Sequence, residues 1–233
     1  MKPALRRLAM ISGLFCGATA LAAPYPTVEQ LRQAVLEVSA TVKSEKLDVE
    51  ILDAVKEGVN LPLMAAGLRL GDSICVVYVS AKPEPRLRPF FEAMPAQDLP
   101  IWLNSIAIHE ITHCIEQRAA YIHRHFDLVL PPGLPRHNVT VQGYLSVVKS
   151  GKVENWGEAL ADIASVLYLK QSVPERWQYF AHSLVAFRSN MADQWPEHDT
   201  SAWLNKVIAN GAHKPAEQSL FEAAFQMRLQ YRP

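Results

Sequence analysis

His109-Glu110-Ile111-Thr112-His113 constrains this chain more than any other stretch, because it sets two imidazoles and a carboxylate inside a run that is otherwise apolar. Ile106, Ala107 and Ile108 precede it, and Cys114 and Ile115 follow. A helix that buries those neighbours buries ionisable groups with them, and such groups are rarely buried without a partner. Positions i and i+4 of an α-helix stack on one face. His109 and His113 can therefore each offer a ring nitrogen to one ion at roughly 2.0–2.1 Å, and the expected ion is a single Zn2+. Glu110 stands off that stripe. The offset suits a carboxylate that takes a proton from a water attacking a carbonyl rather than one that binds the ion.

A catalytic zinc keeps three protein ligands and leaves a fourth position for water, so the histidine pair needs one more donor. Within Glu158–Leu167 the only polar residues are Glu158, Asp162 and Ser165, at i, i+4 and i+7, one stripe on a greasy helix. Glu158 is the candidate third ligand. Asp162, one turn on, is placed to accept the outer N–H of a ligating histidine and fix its tautomer. The plainer alternative is an amphipathic surface helix with a thin polar face. Glu116 shares the histidine face but lies about 4.5 Å beyond His113 along the axis, the wrong side for closing a tetrahedron. Glu154 is the competitor, although Trp156-Gly157 is expected to interrupt a helix between it and Glu158.

An H-E-x-x-H helix followed by a downstream helix with Glu-x-x-x-Asp resembles the gluzincin group of zinc metallopeptidases, of which thermolysin is the familiar member. The resemblance covers the two short motifs only. It implies a zincin-like fold with His109, His113 and Glu158 as ligands, Glu110 as general base and acid, and Asp162 behind the ligands. It also implies a histidine or tyrosine that steadies the oxyanion. Metzincins need Gly and His where this chain has Glu116 and Ala119.

The N-terminus reads as an export signal. Lys2, Arg6 and Arg7 precede an apolar stretch from Leu8 to Ala22 that ends in Ala20-Leu21-Ala22, so cleavage is expected after Ala22. The expected organisation is a signal peptide over 1–22 and one domain over 23–233, in a periplasmic or secreted protein. The apolar run is shorter than the roughly 20 residues of a membrane span, so no stable membrane insertion is expected after cleavage. Phe15 before Cys16 argues against a lipoprotein signal. Removing Lys2, Arg6 and Arg7 takes 23 basic residues to 20 against 23 acidic ones, a net of −3 that gives no reason to expect nucleic acid. Cys75 and Cys114 then remain, either as a disulfide stapling a strand to the histidine helix or as two buried thiols.

Helix signals dominate the rest, giving an expected α+β, mostly helical fold with a small β-sheet packed on the histidine helix. Thr27-Val-Glu-Gln30 is a capping box opening an amphipathic helix through Leu31, Val35, Val38 and Val42. A second helix is expected over Val49 to Val59. Leu63 to Leu70 and Ser73 to Ser80 flank Gly71-Asp72 as a hairpin. The proline-rich Lys82 to Pro95 reads as a loop, with Asp98 capping the histidine helix. Asp127 to Gly157 reads as a long connection that shapes access to a cleft, or as a solvated loop with a strand at Val139 to Val148. Ser172-Val-Pro-Glu175 is a further capping box before a core stripe of Trp177, Phe180, Leu184 and Phe187. Asp199-Thr200 caps the next helix, which ends at Gly211, and a final helix runs from about Ala216 to Leu229. Asn138-Val139-Thr140 is a glycosylation acceptor only in a host that glycosylates.

His198, just before a capped helix, is the candidate for the oxyanion, ahead of His182, Tyr168, Tyr179 and Arg188. His123, His125, His137 and His213 read as surface residues. The function expected is zinc-dependent hydrolysis of a peptide or protein substrate. The alternative from another class is a catalytically idle envelope protein that keeps zinc to hold its fold. Glu110 separates the two, since a structural site has no use for a general base.

Overall fold

The architecture is taken from a computed structural model and is described for residues 25–134, 139–151 and 153–233. The export signal read over 1–22, and with it Cys16, His137 and Asn138, lies outside the described residues. The chain is mostly helical with one small three-stranded sheet. Helix α1 (Val28–Val42) opens on the Thr27 capping box, and Leu31, Val35, Val38 and Val42 are fully buried against the body of the protein.

Strands β1 (Val49–Asp53), β2 (Leu63–Arg69) and β3 (Ile74–Ser80) follow, in spatial order β1-β3-β2. β2 and β3 form the expected antiparallel hairpin, with Met64 opposite Val79 and Leu68 opposite Cys75. β1 lies parallel to β3, Ile51 opposite Val77. The helix expected over Val49 to Val59 is therefore a strand and a turn. Pairing with β3 decides the matter: Val49 and Ile51 suit a pleated surface, and backbone pairing with a neighbour outweighs a local helical pattern. The Asp53 carboxylate accepts the N–H groups of Val55 and Lys56, a local bond that ends the strand.

The proline-rich segment holds a short helix, α2 (Arg88–Ala93), which presents Phe90 and Phe91 inward. Helix α3 (Leu99–Tyr121) carries the histidine motif and runs through the middle of the molecule, with β2, β3, α1 and α6 (Glu154–Ser172) around it. Fourteen of its 23 residues are buried, which is why its sequence shows no single apolar face. Asp98 does not cap it; the carboxylate, fully buried, takes two bonds from the Arg176 guanidinium at 2.8 and 2.9 Å.

The connection after α3 is neither loop nor strand. It holds α4 (Phe126–Val129) and α5 (Val141–Lys149), the latter capped by Thr140, whose hydroxyl accepts the Gly143 N–H. Tyr144 packs on Tyr121 and Phe126, at the far end of α3. The helix at Glu154 is uninterrupted through Gly157, contrary to the sequence reading, because a glycine in the first turn of a packed helix is tolerated. Helix α7 (Trp177–Met191) starts without a side-chain cap, Ser172 being instead the last residue of α6. Helix α8 is Ser201–Ala209, and α9 is Leu220–Gln230 with a Ser219–Glu222 capping box, which moves its start past the expected Ala216. No helix among the described residues is long and apolar enough to cross a membrane.

Of the two alternatives for the cysteines, the disulfide is formed: Cys75 of β3 and Cys114 of α3 are bonded with Cα atoms 5.6 Å apart. The bridge closes a loop of 39 residues. Chain entropy over such a loop is worth about 4 kcal/mol of stability. Replacing both cysteines by alanine should therefore lower the thermal midpoint by about 10 °C, checked by calorimetry on the oxidised parent and the variant.

Candidate metal centre

α3 and α6 pack side by side, and their polar stripes meet. His109 Nε2 and His113 Nε2 are 3.3 Å apart; Glu158 Oε2 is 3.3 Å from the first and Glu158 Oε1 is 3.4 Å from the second. Ligand atoms held at 2.0–2.1 Å around a tetrahedral ion stand about 3.3 Å from one another. The three side chains thus already have the spacing of three corners around one small cation, and they form a buried group able to hold a metal ion. No fourth His, Cys, Asp or Glu among the described residues completes this group. Glu154, the competing acid, is exposed one turn earlier on α6 and belongs instead to a rim group with Glu197 and His198. Glu116 turns away from the ion site toward Arg228.

Asp162 sits directly behind. Its Oδ1 is 2.8 Å from His109 Nδ1, which assigns the ring proton to that nitrogen and turns a lone pair on Nε2 toward the site. The same carboxylate takes two bonds of 2.7 Å from Arg188 and one from the Thr200 hydroxyl. At 1% exposure, Asp162 has no water to solvate it, and these four donors replace water. Arg188 also reaches Glu158 Oε2 at 3.4 Å, so one guanidinium neutralises parts of both acids. Arg188 was among the oxyanion candidates; its nitrogens are largely taken up by these two acids. Thr200, read as a helix cap, makes no cap and serves Asp162 instead.

Charges in the ion-free cluster are strongly coupled. Burial opposes protonation of His109, yet Glu158 and Asp162 push its pKa up to about 10. Burial likewise opposes ionisation of Glu158, but the two imidazoles hold it well below the usual carboxylate range. Asp162 is drawn down to about 2 against its own burial, chiefly by Arg188 and His109. Glu110 goes the other way: burial raises it above an ordinary glutamate, only partly offset by the histidines. A carboxylate on the cleft wall with a raised pKa is better suited to accept a proton and return it.

These groups line a cleft of about 460 Å3. Pro62 to Ala65 at the start of β2 line it, and Phe90, Trp102, Ile106, Leu184 and Phe187 add an apolar wall. Arg86 stacks on Trp195 at 3.9 Å, joining two lips of the opening. His198 faces the same space, with Nε2 3.6 Å from Glu158 Oε1. The short turn that carries it is held by Asn155 of α6, whose amide donates to the carbonyls of Glu197 and Asp199 at 3.1 and 2.8 Å. Sequence reasoning missed Asn155, and an amide in the first turn of a helix gives no signal of such a role. The other oxyanion candidates lie elsewhere: His182 and Tyr179 are exposed on α7, and Tyr168 packs against the core outside the cleft. No residue of the Asp127 to Gly157 connection lines the cleft among the described residues. His123, His125 and His213 are exposed, as read.

No protein-family model matches this chain, and no curated protein or solved structure shows a significant match to it.

The coupling gives a pH signature. Unfolded, His109 titrates near its ordinary 6.5; folded and without an ion, it keeps its proton up to about 10. Between those values the folded form binds a proton that the unfolded form does not, so this group's stabilisation is lost as pH rises. An ion that replaces the proton removes that loss. From pH 7 to 9 the thermal midpoint of the chelator-treated protein should fall more steeply than that of the metal-loaded protein; parallel curves would rule out the coupling.

Proposed function

We propose that this protein is a zinc-dependent peptide-bond hydrolase of the gluzincin type, acting in the cell envelope or outside the cell. The observation that carries the reading is the 3.3–3.4 Å triangle of His109, His113 and Glu158 beside Glu110 on the wall of the same cleft. Two nitrogens and one carboxylate oxygen suit Zn2+. The ion supplies Lewis acidity to a water and to the substrate carbonyl. Glu110 accepts the proton of the attacking water and passes it to the amine as the C–N bond breaks, so a carboxylate and an amine leave. His198, seated by Asn155, donates toward the negative charge that develops on the carbonyl oxygen. Asp162 keeps His109 in the tautomer that presents Nε2.

The substrate side favours an extended chain. Leu68 N–H is bonded to Gln117 Oε1 at 2.7 Å rather than to β3, so the antiparallel alternation turns the N–H and C=O of Met64 and Ala66 away from β3, to the outer edge of the sheet. An extended peptide can add to such an edge as a further strand. The apolar wall beside it fits a bulky apolar side chain. An oxidising compartment is supported by the Cys75–Cys114 bridge. The alternative, an idle protein with a structural zinc, is disfavoured because such sites are closed by four protein ligands and have no use for Glu110.

Zinc content and cleavage of a peptide library test the reading on the chain lacking residues 1–22, on Glu110→Gln and on Glu158→Gln. Glu110→Gln should keep one zinc per chain and lose about two orders of activity or more, while Glu158→Gln should bind zinc about 10-fold more weakly or worse. Full activity in Glu110→Gln would end the mechanism, and unaltered zinc binding in Glu158→Gln would remove Glu158 from the ligand set.

A further inference from the structure

Arg228 of α9 is fully buried, and no step of the proposed reaction uses it. Its Nη1 donates to Glu116 Oε1 and to the Trp156 carbonyl, the latter at 2.9 Å, and its Nη2 donates to the Leu128 carbonyl at 2.7 Å. The guanidinium also lies 4.3 Å from the centroid of the Trp156 ring. Glu116 stands one turn past His113 on α3, and Trp156 stands two residues before Glu158 on α6. One side chain therefore bonds the two helices that carry the candidate ligands, close to a ligand on each. Gly157 completes the junction, because a Cβ there would come within 3.1 Å of Glu116 Oε2.

This arrangement is a poor way to gain stability alone. Burial draws Arg228 below the usual guanidinium range, and its Nε has no hydrogen-bond partner among the described residues. Well-packed apolar residues of similar volume often match or exceed a buried ion pair in stability, and the better-attested use of such pairs is to fix register. A metal site demands register, since ligand distances have to fall within about 0.2 Å of their values.

We infer that Arg228 and Glu116 form a clamp that sets the spacing of α3 against α6 and so holds Glu158 at bonding distance from the ion shared with His109 and His113. They are positioning residues. The inference rests on the metal site proposed above. Gly157 is its third part, leaving room for the Glu116 carboxylate against the backbone of α6.

The test uses the chain lacking residues 1–22, its Glu116→Met/Arg228→Met double variant and Gly157→Ala. Three quantities are measured: the thermal midpoint of the metal-free protein, the zinc dissociation constant by competition with a chromophoric chelator, and the visible absorption of the Co2+-loaded form. The double variant should keep its metal-free midpoint, bind zinc about 10-fold more weakly or worse and show a changed Co2+ spectrum. A purely structural role would move the midpoint and leave the spectrum alone. Parental zinc affinity and spectrum in a folded double variant overturn the clamp. If the double variant does not fold, Gly157→Ala decides. It removes no hydrogen-bonding group and favours the helix, so weaker zinc binding at unreduced stability supports the clamp, and parental binding overturns it. Failure of the parent to bind zinc overturns both proposals, whereas a parent and Glu158→Gln that behave as predicted beside parental clamp variants overturn the clamp alone.

Discussion

Two carboxylates at the bottom of an apolar core govern this structure. Glu158 and Asp162 occupy one face of a helix that is otherwise buried among aliphatic side chains, where an unpaired charge would cost several kcal/mol. Everything near them is arranged to meet those charges: two imidazoles from α3, a guanidinium from α7 and a hydroxyl from the start of α8. Four helices are thus tied at one point. The metal reading grows from the same fact, because the donors that satisfy Glu158 without an ion are the nitrogens able to share one with it.

Much of this was legible in the sequence, for a geometric reason. His109 and His113 lie on one helix at i and i+4, as do Glu158 and Asp162, so each pair's facing is fixed locally by helix pitch. That the two stripes meet was a matter of chemistry, since neither could be buried alone. What was hidden depends on contacts between segments far apart in the chain. Nothing local separates a threonine hydroxyl aimed at its own helix from one aimed at a carboxylate 38 residues away, and Thr200 was assigned to the first. Arg188 and Asn155 were obscured in the same way.

Each misread element has its own cause. Val49 to Val59 carries enough spacing for either helix or strand, and β3, which sets Val49 opposite Cys75, decides in favour of strand. Val139 to Val148 has the β-branched content of a strand, but the Thr140 hydroxyl caps the Gly143 N–H and the segment from Val141 is a helix. Gly157 looked like a breaker. Its bareness answers instead to a neighbour on another helix.

Glu116 is made 112 residues before Arg228, and the Trp156 carbonyl 72 residues before it. A chain that emerges from its N-terminus onward therefore holds a carboxylate and a carbonyl whose guanidinium partner has yet to be synthesised. Until α9 arrives, the Glu116 carboxylate lacks the guanidinium that ties it to α6 in the fold.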